Sequence, residues 1–266
     1  MVSETAELAL DSRSRGDVII VTARGVLDVG TSAALRNYLV KVGAEQPSAV
    51  LVDLAGLDIR SPAVTAVFVT AHEELARWPG VPMVLVAAGD EAAEVLARQR
   101  LSRFVPVERN EADAVAAAGE PPVRLIDGVL LPNSPGSVEI ARRFVRDSCA
   151  LWGQSALADE AAALLGELVA NVVTHTTSMA RVRVELRRGL LSVAVYDDDP
   201  TPPRPRTAGD GNGAVGGERG LALIDRTATA WGCLPTLRGG KVVWSTLRVP
   251  RQRPPDEDRV ARGERP

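Results

Sequence analysis

Two cysteines and two histidines are all that 266 residues hold of the side chains that most often bind transition metals. Cys149 and Cys233 lie far apart with no C-x-x-C partner, so a zinc site has too few ligands at workable spacing. The same scarcity excludes a disulfide scaffold and suits a reducing cytoplasm. No run approaches the roughly 18 consecutive apolar residues that a membrane-spanning helix needs. The N-terminal MVSETAELALDSRSRGD lacks the apolar core of a signal peptide. A cytoplasmic protein is therefore expected. The net charge is only −3, so no global basic field points to nucleic acid. The short pairs Arg142–Arg143 and Arg187–Arg188 are interleaved with acids and read as solvated surface. No G-x-x-x-x-G-K-[ST] phosphate loop occurs, and the halves show no internal repeat.

What is there is an ordinary globular composition, 45% hydrophobic and 24% charged, in a chain long enough for two domains. Residues 1–118 alternate strands with helices. Strands are expected at Val18–Val26, Ala49–Leu54, Pro82–Ala88 and Phe104–Val107. Between them fall a helix capped by Thr31 or Ser32 and running to about Val42, one from Pro62 to about Trp78, one capped by Asp90 and running to Leu101, and one over Glu111–Ala118. This order implies an α/β domain with a mostly parallel sheet. Gly119-Glu120-Pro121-Pro122 resists helix and serves as the linker. Residues 123–250 form a second domain. It has strands at Arg124–Leu131, Arg181–Arg187, Leu190–Asp197 and Lys241–Val249, and helices from Ser137 to Trp152, over Ala158–Thr174 and over Gly220–Ala228. Strict alternation in Arg181–Arg187 predicts a strand with one wet face, typical of an antiparallel sheet. Residues 251–266, charged and without apolar period, read as a disordered tail.

The second domain concentrates the chemistry. Leu164, Leu165, Leu168, Val169, Val172 and Val173 recur at helical spacing and define a buried arc. Glu167, Asn171 and His175 form a polar row along its edge. Such a row is either a solvated rim or one wall of a cleft. In Leu190–Asp197, the period of two places Asp197 at the end of a row with Leu191, Val193 and Val195. A buried carboxylate needs a donor. That donor is a structural neighbour or the amino group of a ligand. The stretch TAGDGNGAVGGERG, Thr207–Gly220, holds six glycines and is either a surface loop or a lid whose N–H groups approach phosphates. Its G-x-G-x-x-G match does not directly follow a strand and has no acid about 20 residues on, which excludes a dinucleotide fingerprint.

Taken in order, these parts resemble the ATP-binding fold shared by histidine kinases, gyrase-type ATPases and heat-shock chaperones, a two-layer α/β sandwich (the Bergerat fold). Residues 130–248 are most similar to the serine kinases that act as anti-sigma factors, of the actinobacterial kind. The resemblance is carried by Leu131-Pro132, Ala141–Val145, Glu167–Asn171, His175, Asp197 with Pro202-Pro203, Arg219-Gly220-Leu221, Trp231-Gly232 and Gly240-Lys241 with Trp244. It implies that Asn171 holds Mg²⁺, that Glu167 is the general base toward a serine hydroxyl, and that Asp197 accepts from the adenine amino group of ATP. It further places Gly217, Arg219, Gly220 and Leu221 in the lid against phosphate, and His175 at the border of the site. The family has glycine where Glu218 stands, and a carboxylate there repels phosphate. The implied partners are an anti-sigma-factor antagonist, a sigma factor, or both, with a homodimer through the ATP-binding domain allowed and no direct nucleic acid or membrane contact.

Residues 15–118 resemble the sulfate-transporter and anti-sigma-factor-antagonist (STAS) domain through Gly25–Asp28 with Thr31, Val50–Leu54 and the helix from Pro62. Members switched by phosphorylation carry an Asp-Ser-Ser-Gly-Leu-like segment at the start of that helix. The corresponding residues here are Ser61-Pro62-Ala63-Val64-Thr65, so Ala63 replaces the phosphoacceptor, with Ser61 and Thr65 as off-position hydroxyls. The sequence thus implies either a kinase that phosphorylates a separate antagonist or a non-catalytic adaptor in which the first domain mediates docking. A histidine-kinase sensor is disfavoured because no dimerisation helix pair with a phosphoacceptor histidine precedes the ATP domain.

Overall fold

The computed structural model of the chain describes residues 8–119, 123–203 and 217–250. Most of the glycine-rich stretch, part of the linker and the charged C-terminal segment lie outside the described residues.

The first sheet has five strands, β1 (Ala9–Arg15), β2 (Val18–Leu27), β3 (Ala49–Ile59), β4 (Met83–Val86) and β5 (Val107–Glu108), paired in that order. Strands β2 to β5 run parallel and β1 is antiparallel to β2. Strand β1 is absent from the sequence reading, because ALDSRSR is polar and largely exposed along a sheet edge. The helices are α1 (Val29–Ala44), α2 (Ala66–Arg77), α3 (Asp90–Arg98) and α4 (Glu111–Ala118). Leu35, Leu39, Phe68, Leu75 and Leu96, from α1 to α3, bury one face of the sheet. Ala114 of α4 packs on the other face with Ile20, Leu51 and Val84.

Several helix starts differ from expectation. Asp28, rather than Thr31 or Ser32, caps α1: its carboxylate accepts from Thr31 N at 3.0 Å while Thr31 Oγ1 accepts from Asp28 N at 2.9 Å. Pro62 opens a 3₁₀ turn, Pro62–Thr65, before α2 begins. Gly89 occupies the cap of α3, and Asp90 is already its first helical residue.

The second sheet is antiparallel, ordered β6-β7-β8-β10-β9, from β6 (Leu125–Leu131), β7 (Ala180–Arg187), β8 (Leu190–Asp197), β9 (Ala230–Pro235) and β10 (Lys241–Arg248). One face is covered by α5 (Gly136–Leu151), α6 (Ala158–His175) and α7 (Gly217–Thr227), through Val145, Leu165, Leu168, Val169 and Ile224. Ser137 does not cap α5. It lies inside the helix, buried, and its hydroxyl donates to Pro132 O at 2.7 Å. Helix α7 begins at Gly217, three residues before the expected Gly220. Strand β9 was not expected, because its AWGCLP pattern has no clean period.

The other face of this sheet is wet only in part: Arg181 is exposed, as the alternation in Arg181–Arg187 suggested, but Glu185 is buried. The first domain sits on it. Trp78, after α2, stacks on Trp244 of β10 with centroids 5.1 Å apart and planes 2° from parallel. Ala44, Ala194, Tyr196 and Val242 complete this apolar seam. Its polar groups are paired across the domains. Tyr196 Oη donates to Ala44 O at 2.9 Å and accepts from Gln46 Nε2 at 2.7 Å. Trp78 Nε1 donates to Ser192 Oγ at 3.1 Å. Arg187 donates to Gly80 O at 2.7 Å and to Pro79 O. Arg187, read from sequence as solvated, is therefore an interface residue. Gly80 has φ +73°, which favours glycine, and a Cβ there would push the Arg187 guanidinium off its carbonyl partners.

Candidate functional site

On the helix-covered side, α6 and the ends of β8 and β10 enclose a cavity of about 270 Å³. Helix α6 supplies Leu168, Asn171, Val172 and His175 to its wall, because the predicted polar row borders the buried arc. Strands β8 and β10 supply Val195, Asp197, Lys241 and Val243, and the chain after β8 supplies Asp199, Thr201, Pro202 and Pro203. Apolar walls with a few convergent polar groups are the usual make-up of a small-molecule site.

Asp197 is the most constrained group. Its side chain is only 1% exposed. Oδ1 accepts from Lys241 Nζ at 2.8 Å and from Asp199 N at 2.9 Å. Lys241 stands directly opposite Asp197 across the β8–β10 pair, and its Nζ also donates to Asp199 O at 2.8 Å. The donor left open by the sequence is thus structural for one oxygen. Oδ2 takes no hydrogen bond from the described residues. Burial pushes the Asp197 carboxyl above the usual carboxylate range, against the hydrogen bond and charge of Lys241. The carboxyl of Asp199, half-buried, is lowered by the N–H of Thr201, which it accepts at 2.9 Å. Gly240 matters for space: a Cβ there would collide with Asp197 O.

Asn171 is half-buried and its amide makes no hydrogen bond among the described residues. Among these residues no group of three or more His, Cys, Asp or Glu side chains could hold a metal ion. A single carboxamide oxygen facing an open cavity suits Mg²⁺, which takes hard oxygen ligands and keeps several waters. His175 is exposed at the rim. Glu167 is half-buried one turn before Asn171 and does not line the cavity. Gly217, Arg219, Gly220 and Leu221 fall in the first turns of α7, and their side chains, like that of Glu218, lie outside the described residues.

Two positioning groups leave no local signal in the sequence. Lys241 is one, visible only once β10 pairs with β8. Asn133 is the other. Its Nδ2 lies 3.3 Å from Val172 O, 3.0 Å from Thr176 O and 3.2 Å from Ser178 O, which ties down the C-terminal end of α6. An asparagine between prolines gives no local hint of this.

In the first domain, Thr65 is buried and its hydroxyl donates to Pro62 O at 2.7 Å, so it is no accessible phosphoacceptor. Ser61 is half-buried and Ala63 exposed. This segment precedes the start of α2, whereas Trp78 follows its end. Twelve residues at about 1.5 Å each separate the two by roughly 18 Å. No helix among the described residues is long and apolar enough to cross a membrane.

Residues 9–114 match the family model of the STAS domain. No curated protein sequence matches the chain. Among solved structures, an anti-sigma factor antagonist from Mycobacterium paratuberculosis is 20% identical over 43% of this chain and 96% of its own, with a TM-score of 0.36. The Bacillus cell fate determinant SpoIIAA in its phosphorylated form is 12% identical over 42% of this chain and 98% of its own, with a TM-score of 0.31. The RsbU and RsbW domains of a Mycobacterium tuberculosis protein are 16% identical over 60% of this chain and 45% of theirs, with a TM-score of 0.35.

Proposed function

We propose that the chain regulates sigma-factor activity by partner switching, with residues 123–250 as an ATP-binding domain of the histidine-kinase type. In this reading it binds Mg-ATP, phosphorylates a serine on a separate antagonist protein, and sequesters a sigma factor. The observation that carries it is the apolar cavity closed at one end by a buried carboxylate with an unpartnered oxygen and faced by the free amide of Asn171. Asp197 Oδ2 accepts the amino group of adenine, and the valines and Leu168 flank the ring. Asn171 holds Mg²⁺, which when bound neutralises phosphate charge. Glu167 takes the hydroxyl proton of the incoming serine. The serine oxygen then bonds to the γ-phosphorus as the bond to ADP breaks.

The acceptor is a separate protein. The chain's own STAS domain lies on the opposite face of the sheet, with Ser61 at the end of α2 away from the interface. Titration of the full chain with ATP and Mg²⁺ tests binding. Asp197→Asn is expected to weaken ATP at least about tenfold, the loss of one charged hydrogen bond. Absence of measurable ATP binding by the folded wild type overturns the reading.

The docked first domain favours a second reading, an adaptor in which nucleotide only tunes docking. Radiolabel transfer from ATP to an antagonist separates the two. Under the kinase reading Glu167→Ala lowers transfer by about 10²–10⁴-fold. Under the adaptor reading the wild type transfers nothing.

A further inference from the structure

At one corner of the domain seam, positive charge outruns its partners. Glu185 of β7, 5% exposed, is met by Arg124 Nε at 2.9 Å, Arg183 Nη2 at 3.4 Å and Arg187 Nε at 3.5 Å. One carboxylate cannot neutralise three guanidiniums. Arg124 Nη2 and Arg183 Nε are buried with no hydrogen-bond partner, although the Arg124 side chain is only 9% exposed. Two more cations, Arg77 of the first domain and Arg188 of the second, both exposed, line the adjoining cavity, which Arg124 and Arg183 do not, and form no ion pair among the described residues. That cavity, about 190 Å³, is lined from both domains, by Trp78, Pro79 and Gly80 on one side and Glu185, Arg187 and Leu190 on the other. A water's share of volume is about 30 Å³, so a tetrahedral oxyanion and a few waters fit. Burial pushes Arg187 below the usual arginine range. Glu185 opposes this, and Arg124, Arg188 and Arg183 add to it.

We infer that this seam cavity is a binding site for a small multivalent oxyanion of the phosphate type, held between Arg77 and Arg188 and bridging the two domains. Guanidinium forks suit such an ion, and the surplus charge around Glu185 draws it into a partly water-excluded space. Because each domain contributes one arginine, the ion binds only the docked arrangement and so stabilises it by mass action. This site is distinct from the cavity beside Asn171, on the other face of the sheet.

The test uses the full chain, with thermal unfolding and tryptophan fluorescence followed during titration with inorganic phosphate. Trp78 lines the cavity and reports directly. Wild type is expected to show a saturable rise in midpoint and a saturable fluorescence change, neither reproduced by chloride at matched ionic strength. In the Arg77→Gln, Arg188→Gln double variant, checked for folding by circular dichroism, the apparent phosphate affinity is expected to fall at least about tenfold. The response should survive in Asn171→Ala. An equal response to chloride, an unchanged response in the folded double variant, or its loss in Asn171→Ala overturns the inference.

Discussion

Asp197 and Lys241 show how two buried charges constrain each other. Both side chains are nearly inaccessible, at 1% and 8%, and each gives the other its principal partner. Removing one leaves the other buried and uncompensated, so Lys241→Met is expected to destabilise the protein by about 3–5 kcal/mol near neutral pH. The pH dependence has a definite sign. A carboxyl raised in the native state binds its proton more tightly when folded. Its contribution is therefore greatest below the ordinary aspartate value and is lost as pH climbs through the raised one. Without Lys241 the native value rises further, so the deficit of Lys241→Met should shrink on acidification. Urea unfolding of both proteins at neutral and mildly acidic pH checks this. A deficit that grows on acidification contradicts the assignment. Position 197 is legible in sequence because the period of two puts it at the end of an apolar row. Its partner is not, because the pairing joins residues 44 apart.

At the scale of elements, α6 is the member the sequence describes best, since its apolar arc and polar edge are both local patterns. What holds its end in place is not local. Asn133 reaches three carbonyls around Val172, Thr176 and Ser178 from the turn after β6. Asn133→Ala leaves these acceptors short of a donor and is expected to lower stability by about 1–3 kcal/mol. It should also weaken ligand binding, since Val172 and Thr176 line the cavity. A variant that loses stability but binds ATP as tightly as wild type removes the link between helix end and site. Strand β7 shows the opposite limit. Its alternation is real and Arg181 is exposed, yet the Arg187 end of the charged face is covered by another domain, and alternation does not say what covers a face.

For the molecule as a whole, the Trp78–Trp244 stack and the Tyr196 and Arg187 hydrogen bonds join two halves that each have their own core. Trp78→Ala deletes the indole stack of the seam and is expected to remove about 3–5 kcal/mol of docking free energy. Small-angle scattering should then report a larger radius of gyration, with the near-ultraviolet signal of the stacked indoles lost. An unchanged scattering profile means that the stack does not hold the domains together.

The seam also has a competitive meaning. Helix α4 ends at Ala118 and β6 begins at Leu125, so only a few residues tether the two halves. A tether this short holds the docked domain at an effective concentration on the order of millimolar. Any free STAS protein seeking the same sheet face in trans must exceed that to displace it. The part of the outer sheet face under the Trp78–Trp244 seam is therefore closed to passing partners at ordinary cellular abundance, while the exposed Ile126 and Leu130 of β6, the cavity beside Asn171 and the Ser61 end of the first domain stay open to them.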